Sequence, residues 1–346
     1  MNSRSVKPPK RGREHNIDQG VALLGEALED LVRQGLVRAP EDAFEVLSRR
    51  LVDAQAGGLA GWIQAAATND PAVRVAALGR VQLLVDAWRQ RDALSPGLHA
   101  DVRAAVGIAL REAEVVAHGD HVRDTWIVLG RARDVDLYRR LEVTRTWLRG
   151  TDLGRTALEL RFQPLGNARP WPPKPARPGP ADPSGPPAPL PALEVGATFE
   201  GTLAFWPSAF PQRALIHERG PATPWSGTRL PGRDGIDAAL AELGRILADA
   251  PLHERCCVVL GDVRVTLDRP SRAAPDTGTV IDGDLALPWR TPHALELLAT
   301  TGGAPFDLVA EWDGECLRPL ALQTEEGFGP LGDAADRAQG GGPDGR

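Results

Sequence analysis

Ile17, Val21, Leu24, Leu28 and Leu31 recur at alternating spacings of four and three. That rhythm lines five aliphatic side chains along one face of a helix and predicts a core-facing element. Asn16 can cap its start with Gln19 reaching back, and Gly35 can end it in the left-handed conformation. The stripe has heptad spacing but is too short to argue for a coiled coil. Pro40 opens a second helix, with Glu41 and Asp42 in its first turn and Phe44, Leu47 and Leu51 on its buried face. Gly57 and Gly58 break it, and a short helix around Leu59 to Ala67 carries Trp62. Asp70-Pro71 reads as cap and first position of a helix running to about Asp92, and Ser95-Pro96 repeats the signature before Leu98, Val102 and Ala105. Residues 16–120 therefore read as an antiparallel helical bundle, with no repeat period that would make a solenoid.

Near His121 the period changes from helical to two. Thr125 to Arg133, Leu141 to Arg149 and Thr156 to Phe162 read as strands of a meander. Proline then dominates from Pro164 to Pro191, so 164–193 reads as an extended loop, a spacer or a ligand for an aromatic groove, with the spacer preferred. Strands resume at Thr198 and return over Arg213 to Glu218. A helix fits Ile236 to Ala250, with Ile236, Leu240, Leu243 and Leu247 on one face. Two hairpins are predicted, one turning at Gly261-Asp262 and one at Asp313-Gly314. The fold class is α+β: a helical bundle, then a mostly antiparallel β-rich domain over 121–330. The basic stretch 1–15 and the Gly- and Asp-rich stretch 331–346 read as disordered tails.

Charge and cysteine content narrow the function classes. With 346 residues and a formal net charge of -6, broad electrostatic binding to nucleic acid is disfavoured. Cys256, Cys257 and Cys316 are an odd count, and no apolar core follows the basic N-terminus, so a cytoplasmic protein is expected. No apolar run of about 18 residues is present to span a membrane.

Catalytic patterns are missing. No glycine-rich loop ends in Lys-Ser or Lys-Thr, no Gly-x-Ser-x-Gly elbow occurs, and His253-Glu254 lacks the second histidine of a zinc hydrolase. Adjacent Cys256 and Cys257 point to opposite faces of a strand, so at most one faces any site. Asp134 with Asp136, and Asp282 with Asp284, can pair as cation ligands, but turn and surface roles suit them better. His118 and His121 flank a Gly-Asp turn, where a polar turn is the better reading than a metal site. Trp126, Trp147, Trp206 and Trp312 lie in strands, where aromatics either stack on bases or fill a core, the core being preferred. The expectation is a protein without catalytic residues, metal or cofactor.

Several uncommon words stand in a fixed order: GEALEDLVRQGL from Gly25 to Leu36, LVDAQA from Leu51, DTWIVLG from Asp124, RTWL from Arg145, and FWPSAFPQRAL from Phe205 to Leu215. In this order they resemble the C-terminal region of bacterial SWIM zinc-finger family proteins, over roughly residues 16–220. That family's zinc finger has Cys-x-Cys and Cys-x-His before the helix that holds Leu28. Here the first cysteine is Cys256, so no zinc ligand carries over. A truncated relative, a split gene product or a start lying upstream each fit. The resemblance implies company with a MoxR-type ATPase and a von Willebrand A-domain protein, hence a non-enzymatic adaptor or assembly role. A nucleic-acid-binding accessory protein is the alternative. Arg145, Trp147, Trp206 and Arg213 lie in the resembling words and are the candidate partner-binding residues. Arg145 and Trp147 share a strand face, where a cation–π stack closing the sheet is preferred over an exposed recognition platform.

Overall fold

The computed structural model describes residues 12–35, 41–68, 70–136, 140–165, 193–268 and 276–332. Most of both predicted tails and of the proline-rich loop lies outside the described residues, as does Pro40. The chain divides into two compact units. One is helical and runs to Glu114, joined by Pro207–Phe210 and Asp249–Leu252; the other holds the strands.

The helical unit contains α1 (Arg13–Gln34), α2 (Glu41–Asp53), α3 (Gly57–Ala65), α4 (Pro71–Arg89) and α5 (Pro96–Val106). All five stripe residues of α1 are buried, against Phe44, Leu47 and Leu51 of α2 and Leu78, Val81, Val85 and Trp88 of α4. The Trp88 indole finds its acceptor in Asp18 Oδ1 at 2.9 Å. Both predicted Xaa-Pro starts are present. Asp70 Oδ1 accepts from Ala72 N at 2.9 Å, and Ser95 Oγ accepts from Leu98 N at 3.4 Å.

The start of α1 departs from expectation. It begins at Arg13 behind Gly12, because Arg13 donates to Gly107 O at 2.8 Å and Glu14 pairs with Arg103. Asn16 therefore lies inside the helix and reaches Gln55 at 3.3 Å. Gly58 is not a breaker but a contact point within α3. A Cβ there would lie 2.1 Å from Ala105 O, so only glycine lets α3 sit on the end of α5.

In the strand unit, α6 (Glu112–His118) leads into β1 (Asp120–Asp136), β2 (Leu141–Gly150) and β3 (Thr156–Pro164). Then come β4 (Ala197–Phe205), β5 (Ala214–Arg219) and the short β6 (Thr223–Pro224). Their order is β3-β2-β1-β4-β5, with β6 on β4. Three consecutive strands with a fourth returning beside the first make a Greek key. A parallel bridge between Leu158 and Arg213 brings β3 to β5 and partly closes the sheet. Trp126, Val128, Leu148, Ala157, Phe199, Leu203 and Phe205 fill the interior.

The rest of the unit runs through β7 (Arg233–Asp234), α7 (Ile236–Asp249), β8 (Cys256–Leu267), β9 (Asp276–Asp282), β10 (Leu285–Thr291), α8 (Ala294–Thr301), β11 (Phe306–Trp312), β12 (Leu317–Thr324) and β13 (Gly327–Pro330). Its sheet order is β10-β9-β8-β11-β12-β13, and a parallel bridge between Trp289 and Leu317 joins β10 to β12. Counted from β8, this is again third-second-first-fourth-fifth with third meeting fifth in parallel. The strand unit is thus two copies of one five-stranded, partly open Greek-key barrel, the architecture of OB-type modules. One short word recurs at matching places. Val128-Leu129-Gly130 with Arg133 stands in the first strand of one barrel, and Val259-Leu260-Gly261 with Arg264 in that of the other.

Two strand-unit expectations change. Gly261-Asp262 is a bulge, not a hairpin turn. β8 runs straight through it, its first half paired with β11 and its second half with β9. Residues 261 and 262 together face Asp307, and Asp262 takes a φ of 52°. The helix α7 buries Ile236, Ala239, Leu243 and Ile246, whereas Leu240 and Leu247 are exposed. Spacings 4-3-4 and 3-4-3 share Ile236 and Leu243, so the helix has two adjacent apolar stripes and packing selects one. The second hairpin is present, β11 pairing with β12 around Asp313-Gly314.

Candidate partner-binding surface

The four residues singled out by sequence fall into two separate pairs. Arg145 and Trp147, both on β2, share a face as expected, but they do not stack as a cation–π pair. Both turn to Glu311 on β11. Arg145 Nε and Nη2 donate to the two oxygens of Glu311 at 2.6 and 3.0 Å, and Trp147 Nε1 donates to Oε1 at 2.9 Å. Arg255 lies 3.5 Å from the same carboxylate, and Arg145 also pairs with Asp134, which Arg318 holds from the other side at 2.7 Å. Glu311 and Trp147 are fully buried and Arg145 is 7% exposed. Burial alone would lower the Arg145 pKa, but Glu311 and Asp134 raise it above its ordinary value. Burial works to raise Asp134, and Arg145 and Arg318 together hold it below the usual carboxylate range.

This group therefore joins the two barrels. Around it Ile127, Leu129, Ala132 and Trp147 of the first barrel pack on Val259, Val309, Leu320 and Ala321 of the second. OB-type barrels bind oligonucleotides on the face of their second and third strands, with aromatics as stacking platforms. The β2 part of that face is covered here by the second barrel, and Trp147 is buried beneath it.

The other pair does stack. Arg213 lies 4.1 Å above the Trp206 ring, and Trp206 N donates to Arg213 O at 3.0 Å. Trp206 is buried beside Val115, Ala204 and Leu215. Trp126 is interior as well, its indole donating to Gly201 O at 3.1 Å.

The remaining candidate chemistry resolves into structure. Asp282 Oδ2 accepts from Ile236 N at 2.9 Å and caps α7, and Asp313 Oδ1 closes its turn by accepting from Glu315 N and Cys316 N. His121 stacks on His217, with ring centroids 5.2 Å apart. Among the described residues no three metal-ligating side chains gather. Burial pushes the Cys256 thiol up to about 12 and raises Cys257 and Cys316 too, so none is a ready thiolate.

An open apolar surface stands in the helical unit, one that no motif in the sequence marks. In the helical unit α1 and α4 leave a groove of about 490 Å³ lined by Leu28, Glu29, Val32 and Arg33 on one side and Val75, Leu78, Gly79 and Gln82 on the other. Leu28 and Leu78 form its floor, while Val32 and Val75 stand 64% and 50% exposed. Arg33 on the rim is already paired with Glu29 and Asp30, at 2.9 and 3.0 Å. Gly79 sits mid-helix, where glycine costs stability, yet a Cβ there would meet nothing within 4 Å. The signal in sequence was an α1 with Val32 off its buried stripe and an α4 with Val75 and Gly79 on one side.

Residues 12–106 match the family model of the SWIM-associated four-helix bundle domain, a region that does not include the zinc finger itself. Neither a curated protein nor a solved structure matches the chain. No helix among the described residues is long and apolar enough to cross a membrane.

Proposed function

We propose that this chain, built on a SWIM-associated four-helix bundle domain, is a non-enzymatic adaptor or assembly protein of the cytoplasm. Its bundle receives an apolar helix of a partner between α1 and α4. The observation that carries this reading is the groove itself, an apolar floor flanked by exposed valines and rimmed by charges that already satisfy one another. Such a groove suits an amphipathic helix, whose residues at i, i+3 and i+4 can fill it while its polar face stays wet. An apolar occupant also follows from the rim, because Arg33 has its carboxylates at hand. The partner we assign is a MoxR-type ATPase or a von Willebrand A-domain protein, on the strength of the resemblance in the words around Leu28 and Trp126.

The test is direct binding of the purified chain to each of those two proteins, with Val32→Glu/Val75→Glu as the variant. Both positions are exposed, so the variant should keep the parent's stability within about 0.5 kcal/mol. Complex formation with the parent and its loss in the variant supports the reading. Equal binding by both would remove the groove from it.

A further inference from the structure

We propose a small-oxyanion site in the strand unit, between β1 of the first barrel and the β10–α8 corner and β12 of the second, shaped for a single phosphate group. The cleft there is about 70 Å³, and its lining includes Arg131, Arg133, Thr291, His293, Arg318 and Gly332. A single water needs only about 10–15 Å³ of such space, so the cleft has room for one tetrahedral ion or the terminal phosphate of a monoester.

The charges around it do not cancel. Among the described residues, the Arg133 side chain has no hydrogen-bond partner, and Arg131 has only the carbonyl oxygen of Leu193. Neither meets a carboxylate there. Arg318 donates to Asp134 and, at 3.0 Å, to Arg133 O. Two acidic groups lie near, and both are engaged. Asp134 is shared by Arg145 and Arg318; Glu296 accepts from Gly332 N at 3.2 Å and lies 3.8 Å from His293 Nδ1. Two guanidinium groups without counter-charges thus border a cleft that a phosphate would fill. Guanidinium is the group best matched to that geometry.

A neutral donor adds direction. Thr291 is 1% exposed; its Oγ1 accepts from His293 N at 3.2 Å, and its hydroxyl proton has no acceptor among the described residues. A buried hydroxyl with a proton to give, next to arginines, favours an acceptor ligand over a donor. The N-terminal turn of α8 begins three residues later, at Ala294, and contributes the same sign.

The experiment is a thermal-unfolding titration of the full chain with sodium phosphate, sodium sulfate and sodium chloride at matched ionic strength and neutral pH. Glycerol phosphate forms a fourth arm. The melting temperature should rise saturably with phosphate and sulfate and stay flat with chloride. A rise with glycerol phosphate identifies a site open to monoester ends, and a rise with the inorganic ions alone identifies a site for the free ion. Arg133→Ala should weaken the phosphate midpoint about tenfold or more, as loss of one charged donor implies. Arg161→Ala, remote and exposed, should leave it unchanged. A phosphate effect no larger than that of chloride would overturn the site, and so would an Arg133→Ala chain that binds phosphate like the parent.

Discussion

Replacing Glu311 by Gln removes a charge and almost no volume. The carboxylate is fully buried and takes two hydrogen bonds from Arg145 and one from Trp147, with Arg255 at 3.5 Å. A glutamine in its place can still accept from the Trp147 indole and Arg145 Nε at the Oε1 position, but its NH₂ then faces Arg145 Nη2 and Arg255. Removing one member of a buried pair costs about 3–5 kcal/mol, because the other charge is left in low dielectric. Arg145 keeps Asp134, which is shared with Arg318, so the low end applies, about 3 kcal/mol. For a unit of this size about 3 kcal/mol lowers the melting temperature by roughly 6–12 °C. Calorimetry of the full chain reads this on the transition of the strand unit. The companion is Arg145→Met/Glu311→Gln, which removes both charges while Asp134 keeps Arg318 and Trp147 keeps an acceptor. It should recover much of the loss, since a neutral pair of similar volume is tolerated where a lone charge is not. Glu311→Gln within about 2 °C of the parent would refute the reasoning, and so would a double variant as damaged as the two single losses summed.

Asp134 is held below its ordinary pKa by Arg145 and Arg318, so its folded value lies under its unfolded one. Its contribution is therefore complete above the unfolded value, near pH 4, and is lost as pH falls through the folded value. The stability gap between parent and Asp134→Asn should be constant near neutrality and shrink on acidification; a gap that grows toward acid would show the sign to be wrong. Gly58→Ala and Gly79→Ala should move the helical unit in opposite directions. The first drives a Cβ to 2.1 Å from Ala105 O and must lower the melting temperature, while the second meets open space in α4 and should add about 0.5–1 kcal/mol. Equal effects would show that the packing of α3 on α5 has been misjudged.

The helical half was legible because its signals are local. A 4-3 stripe names the buried face of α1, and Asp70-Pro71 and Ser95-Pro96 name two helix starts. Where the signal was degenerate, the outcome turned on tertiary packing. α7 offers two stripes, and the sequence alone cannot choose between Leu240 and Ala239. Gly261-Asp262 has turn composition, yet whether it turns or bulges depends on whether β11 and β9 compete for β8, which is non-local information. The likeness of the two barrels lies in strand order rather than residue identity, with only Val-Leu-Gly and an arginine three residues on shared between their first strands. The candidate residues were chosen from words in the right order, and the shared face of Arg145 and Trp147 was readable from their spacing. Their common acceptor was not, since Glu311 is more than 160 residues away and looks like any surface glutamate in an alternating strand. The α1–α4 groove escaped notice because exposed valines are ordinary one at a time, and only the fold brings Val32 near Val75.

Amide hydrogen exchange on the chain, free and mixed with the proposed MoxR-type ATPase or von Willebrand A-domain protein, tests the groove reading most directly. The account predicts slowed exchange over residues 28–33 of α1 and 75–82 of α4, the two sides of the groove, with the barrel strands unchanged. Protection confined to the barrels, with α1 and α4 exchanging as in the free chain, would contradict it.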